Sequence, residues 1–258
     1  MSEIMKQPIN SIIIIGATSG IGRAVAEKFA KEGVRIGIAG RREERLHELQ
    51  ERYGTEHVAY RVMDVTMEDA ADRLVELCEE VGTPDVLLYA SGIGRQNPEL
   101  EEAIELRTVE TNCAGMVRIV DRFINWVKSN PAYNDKHRAH VAVISSVAGT
   151  MGMGSAPAYS ATKSMQSAYL MALAQHIRMN KLPLTVGDIR PGFVATEILN
   201  PEKHYPMMMT VEEATNHVTR SLQRRKRVTT FDWRFKLITA FWRMIPRALW
   251  ERMTFVRN

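Results

Sequence analysis

Tyr159 and Lys163 stand four residues apart, at the ends of Tyr-Ser-Ala-Thr-Lys. Residues at that spacing share one face of an α-helix, so an ammonium would lie beside a phenol. A neighbouring cation favours the phenolate and is expected to draw Tyr159 below the ordinary phenol pKa near 10. A side chain tuned in this way can give and take a proton near neutral pH. Two hydroxyls, Ser145 and Ser146, come shortly before, Ser146 standing 13 residues ahead of Tyr159.

A second group of residues suits a bound phosphate. The apolar run Ser11 to Ile15 leads into Gly16-Ala-Thr18-Ser19-Gly20-Ile21-Gly22, and a helical pattern starting at Arg23 follows. Glycines there let the backbone turn tightly and approach a pyrophosphate, while the helix start offers free N–H groups and a positive dipole end. A tight strand-to-helix turn needs glycine with or without a ligand, so the flanking strand and helix carry much of the argument. The next strand ends in Ala39-Gly40-Arg41-Arg42, with no acid to meet a free ribose 2′-hydroxyl. Arg41 and Arg42 offer planar donors for a 2′-phosphate, which favours NADP (NADPH) over NAD; the alternative is solvated charges paired with Glu43 and Glu44.

The elements needed to hold these residues are legible as well. Short β-branched runs at 11–15, 35–39, 58–61, 86–89, 140–144 and 184–189 alternate with helical patterns at 21–32, 43–53, 67–81, 100–130 (with a break) and 158–180. That alternation predicts an α/β chain with one Rossmann-type, doubly wound parallel sheet covered by helices on both faces. Ligands of such sheets bind beyond the carboxyl ends of the strands, where both groups of residues fall. We expect one domain over 1–230, with 231–258 as a basic, aromatic helical extension.

Taken together, the glycine turn, Ser146, Tyr-x-x-x-Lys and Pro191-Gly192 resemble the short-chain dehydrogenase/reductase family over about Ser11 to Thr196. The resemblance implies that Tyr159 exchanges a proton with a substrate oxygen that Ser146 hydrogen-bonds, and that Lys163 also holds the nicotinamide ribose. It implies that Asn112 keeps a water of the proton relay, and that Asp64, followed by Val65, meets the adenine. Pro191, Gly192, Val194 and Thr196 would lie along the carboxamide and phosphates. Asp64 can alternatively cap a turn with Thr66. Where the family carries Asn-Asn-Ala-Gly, this chain has Tyr89-Ala90-Ser91-Gly92. The substitution puts local sheet hydrogen bonding in doubt, while Gly92 keeps the close approach to the cofactor and Ser91 can still reach its ribose or phosphates.

Composition narrows the rest. Hydrophobic residues make up 45% and charged residues 25%, as in ordinary globular proteins. The start is polar and the first apolar run too short for a leader or a span, so a cytoplasmic location is expected. Cys78 and Cys113 suit buried inert thiols better than a disulfide or zinc site. The net charge of +4 is uneven: from Arg220 to Asn258 eleven Lys or Arg face two Asp or Glu, leaving 23 basic and 28 acidic residues before them. Trp233, Trp242 and Trp250 lie among these cations, on two helices broken near Pro246. This tail can meet an anionic membrane, a second subunit of a dimer or tetramer, or the pocket. No recognition motif for nucleic acid accompanies it.

Met207, Met208 and Met209, in a variable stretch from Ile198, and Met151 with Met153 across from it, suggest an apolar or lipid-like carbonyl or alcohol substrate. The expected activity is ketone and secondary-alcohol interconversion. A non-catalytic NADPH sensor or scaffold acting through the tail is the alternative, and an epimerase or dehydratase is disfavoured by the limited room for a substrate domain.

Overall fold

The computed structural model describes residues 8–199 and 205–254. Its seven parallel strands lie in the order β3-β2-β1-β4-β5-β6-β7. They are β1 Ser11–Ile15, β2 Arg35–Gly40, β3 Val58–Val62, β4 Val86–Tyr89, β5 Ala139–Ile144, β6 Leu184–Arg190 and β7 Val228–Thr230. The four isoleucines of β1 show why the run is continuously apolar. Ile13 and Ile15 face one core with residues of α3 (Ala70–Val81), α5 (Gly115–Ser129) and α6 (Pro157–Met179). Ile12 and Ile14 face the other, with α1 (Gly20–Lys31), α2 (Glu43–Tyr53) and α7 (Val211–Gln223). A strand covered on both faces has no reason to alternate with polar residues. This is the doubly wound arrangement expected, and chain order reverses between β1 and β4.

Three local expectations are corrected. The edge strand β7 was not anticipated, because three half-exposed residues carry no periodic signal. The long helical pattern from Leu100 does not break: α4 (Glu102–Val109) passes through a π turn, Glu110–Ala114, into α5. Nor does Tyr89 disturb the sheet. It pairs in register with Ile15 and Val143, is fully buried, and its hydroxyl donates to the Thr111 carbonyl in the π turn at 2.9 Å.

The tail forms α8 (Trp233–Trp242) and α9 (Arg247–Trp250), with Pro246 capping the second. Among the described residues no helix is long and apolar enough to cross a membrane. Cys78 is buried as expected, whereas Cys113 is only half-buried.

Candidate active site

A cleft of about 760 Å³ opens at the carboxyl ends of β1, β4 and β5. Its floor is the glycine turn. Gly16 has φ +92°, and a Cβ there would lie 2.6 Å from the Ser91 nitrogen and 2.8 Å from the Ala90 carbonyl carbon. Only glycine brings the β1 and β4 loops this close. Thr18, Ser19, Gly20, Ile21 and Gly22 also line the cleft, as do Ser91 and Gly92. The Ser19 side chain caps no N–H of α1, so the helix start keeps its donors for a ligand. An anion-sized cradle of backbone donors is what a pyrophosphate fits.

At the far end, Arg41 and Arg42 both line the cleft. Arg42 does not pair with Glu43 or Glu44. It bonds the Thr18 hydroxyl at 3.1 and 3.2 Å and forms an ion pair with Glu197 at 3.1 Å. Arg45, missed in the sequence, joins Glu197 at 3.0 Å and the Thr18 carbonyl at 3.0 Å. Arg41 is exposed and makes no ion pair among the described residues. Asp64 accepts from the backbone and hydroxyl of Thr66 at 3.0 and 2.8 Å. Burial works to raise its pKa, but these bonds and the Arg41 charge hold the carboxyl below its ordinary value. The capping role and a place on the cleft wall therefore coexist. Val65 lines the cleft, and its carbonyl accepts from Arg118 at 2.6 Å.

Beyond β5 the two serines separate in function. The Ser145 hydroxyl is engaged by the Asp188 carboxylate and by the Ile189 carbonyl at 3.2 Å. The Ser146 hydroxyl accepts from the Ala148 N–H at 3.1 Å and lies beside the Tyr159 phenol in the cleft. The Tyr159 ring packs on Gly94, where a Cβ would come within 2.5 Å of it, so Gly94 is a further requirement of the site. Lys163 lies 5.8 Å from the ring centroid and donates to the Ile144 carbonyl at 3.0 Å and to Gln166 Oε1 at 3.1 Å.

The expected lowering of the phenol pKa is overturned. Burial pushes Tyr159 above its ordinary value, with the Ser146 hydroxyl opposing, and burial draws Lys163 down to about 8 against the pull of Asp188. Desolvation acts on both groups at once, and the ammonium directs hydrogen bonds to Ile144 and Gln166.

Asn112 sits in the π turn, fully buried. Its side chain accepts from the Ile93 N–H at 2.9 Å and donates to the Ile93 carbonyl at 2.8 Å and the Thr162 hydroxyl at 3.0 Å. Its carbonyl accepts from Gln166 Nε2 at 2.7 Å. Gln166 thus links the Lys163 ammonium directly to the π turn. It lies seven residues after Tyr159, on the same helix face, a spacing from which it was findable in the sequence. Gln166→Leu is expected to reduce turnover roughly tenfold or more, since a hydrogen bond to a charged group is lost. It should also move the pH profile limb belonging to Lys163 downward, and Gln166→Glu should move it upward. Initial rates across pH decide it; unchanged limbs in both variants would leave Gln166 a packing residue.

Pro191, Gly192, Val194 and Thr196 also line the cleft. The Pro191 carbonyl accepts from Val147 at 3.0 Å, and Val194 bridges to Met209. Met207, Met208, Met209 and Met151 do not line this cleft, contrary to expectation. Met153, Ile198, Leu199, Tyr205, Phe235 and Trp242 do. The part of the variable stretch at 200–204 lies outside the described residues.

A family model described as short chain dehydrogenase matches residues 10–205. An uncharacterised oxidoreductase of Myxococcus xanthus is 28% identical over 246 residues, which cover 93% of this chain and 94% of that protein. Two crystal structures share the fold at 22% identity, each over 86% of this chain. Actinorhodin polyketide ketoreductase with NADPH has a TM-score of 0.72 over 95% of its chain. The 3-ketoacyl-(acyl-carrier-protein) reductase of Brucella melitensis, complexed with NADH, has 0.76 over 96%.

Proposed function

The chain belongs to the short-chain dehydrogenase family, and from that premise we propose that it is an NADP(H)-dependent oxidoreductase interconverting an apolar ketone and its secondary alcohol. The observation that carries the reading is the meeting of Ser146, Tyr159 and a buried Lys163 at one cleft wall, opposite a glycine cradle. Gly16 to Gly22, Ser91 and Gly92 would hold the pyrophosphate and adenosine, Asp64 and Val65 the adenine, and Lys163, Pro191, Gly192, Val194 and Thr196 the nicotinamide half. Bound there, a nicotinamide supplies the hydride for the carbonyl carbon and accepts it in the reverse direction.

Tyr159 gives its phenol proton to the carbonyl oxygen as the alkoxide forms, and Ser146 donates a hydrogen bond to that same oxygen. Lys163 stabilises the phenolate left behind, while Asn112 and Gln166 hold the lysine in place. Met153, Ile198, Leu199, Tyr205, Phe235 and Trp242 surround the rest of the substrate with apolar surface. NADPH consumption against steroid, quinone, long-chain keto and small keto compounds tests the reading. Turnover should rise with apolar bulk, and tight NADPH binding without turnover of any of them would favour a sensor instead.

The phosphate preference rests on Arg41, which lines the cleft and makes no ion pair among the described residues, and on the absence of an acid at the end of β2. Arg41→Ala is expected to raise KM for NADPH roughly tenfold or more, the loss of a charge-assisted contact, and to leave KM for NADH nearly unchanged. Equal effects on the two would remove the 2′-phosphate assignment.

A further inference from the structure

Helix α8 carries apolar residues on two opposite faces. The inner face is covered. Phe235 lies against Gly192, where a Cβ would come within 2.2 Å of its ring, and Trp242 lines the cleft. Trp242 also meets Trp250 edge to face at 5.3 Å, and Trp250 Nε1 donates to the Gly152 carbonyl at 2.7 Å. The segment is therefore docked on the body of the protein and is not a free tail.

The outer face is uncovered. Trp233, Leu237 and Phe241, spaced by four, share one side of α8, and Met244 follows in the turn after the helix. They are 71%, 60%, 64% and 79% exposed, and Leu249 of α9 adds to the patch. An apolar patch of this size left to solvent calls for a covering surface. Cations border it: Arg234 on one side, Lys236 and Arg243 on the other, and Arg247 and Arg252 beyond. The acids here, Asp232 and Glu251, are taken by Arg234 and Arg247. Lys236, Arg243 and Arg252 make no ion pair among the described residues.

We propose that this outer face docks on an anionic lipid bilayer, with Trp233, Leu237, Phe241 and Met244 at the boundary of headgroups and acyl chains and the cations against lipid phosphates. Ten residues of α8 are too few to span a bilayer but enough to lie in its surface. Aromatic rings interleaved with cations suit the interface, where apolar body and polar rim are both satisfied. A second copy of the chain is a poorer occupant. A two-fold contact through this face would set its excess cations against their own copies. The docking does not depend on which substrate the cleft takes.

Flotation of the full chain with phosphatidylcholine vesicles, with and without phosphatidylserine and at low and high salt, tests the proposal. The chain should float with the phosphatidylserine vesicles and lose binding roughly tenfold or more in their absence or at high salt. Trp233→Ser combined with Phe241→Ser should abolish flotation, while turnover of a water-soluble ketone and the melting temperature stay as in the parent. Absence of flotation by the parent chain overturns the proposal. So does a parent dimer, seen by sedimentation velocity, that the double variant dissociates, since the face is then a subunit contact.

Discussion

Tyr159→Phe is expected to lower carbonyl reduction by a factor of roughly 10² to 10⁴, the range for a positioned acid, while the Kd for NADPH changes little. Only the hydroxyl is removed, and the ring keeps its packing on Gly94, so the cleft retains its shape. Stopped-flow hydride transfer and fluorescence titration of NADPH separate the two effects, and parent-like turnover in this variant would sink the mechanism. The parent enzyme should also report Lys163 in its pH profile. With the lysine near pKa 8, raising the pH through 8 removes the cation that stabilises the phenolate, and reduction should slow. Any residual rate of the phenylalanine variant should lack this limb.

Stability should move the other way. The lysine is less readily protonated in the folded chain than in the unfolded one, whose value is near 10.5. Between 8 and 10.5 the unfolded state therefore binds more protons, and the Lys163 contribution to stability rises with pH. Below 8 the full penalty of burying the charge is present. Lys163→Met should remove this rise, as followed by denaturant unfolding across that range.

Gly16→Ala is expected to lower the melting temperature by roughly 5–15 °C and to abolish measurable NADPH binding. Two costs combine. Alanine at φ +92° is strained by roughly 1–3 kcal/mol, and its methyl would overlap the backbone of Ala90 and Ser91, which adds about 1–3 kcal/mol of overpacking. Because the obstructing atoms are main chain, relief requires the β1 and β4 loops to part, which opens the cradle. Gly33→Ala is the control. It too has positive φ, but a Cβ there meets nothing within 4 Å. It should carry a strain cost only and bind NADPH normally; equal loss of binding in both variants would refute the close approach as the cause.

Particular residues show where reading the chain succeeded. Ile12 to Ile15 announced a strand buried on both faces, and the tetrad spacing of Tyr159 and Lys163 announced a shared helix face, because both patterns repeat over one or two turns of local geometry. Strand β7 escaped because it is too short to have a period. The π turn falls inside the stretch where a break was expected, but the weak helix formers Thr111, Asn112 and Cys113 do not tell a widened turn from an interruption.

The site divides along the same line. By itself the sequence determined which residue types meet at the strand ends, since strand and helix periodicities place them there: the glycine turn, Ser146, Tyr159, Lys163 and the arginines after β2. Tertiary structure alone decided that Ser145 serves Asp188, that Arg42 and Arg45 share Glu197, and that Phe235 and Trp242 line the cleft in place of the methionines. It also reversed the expected pKa direction of Tyr159. The reason is physical: spacing along a chain sets which groups are near, but burial and partners from distant segments set what being near does to their charge.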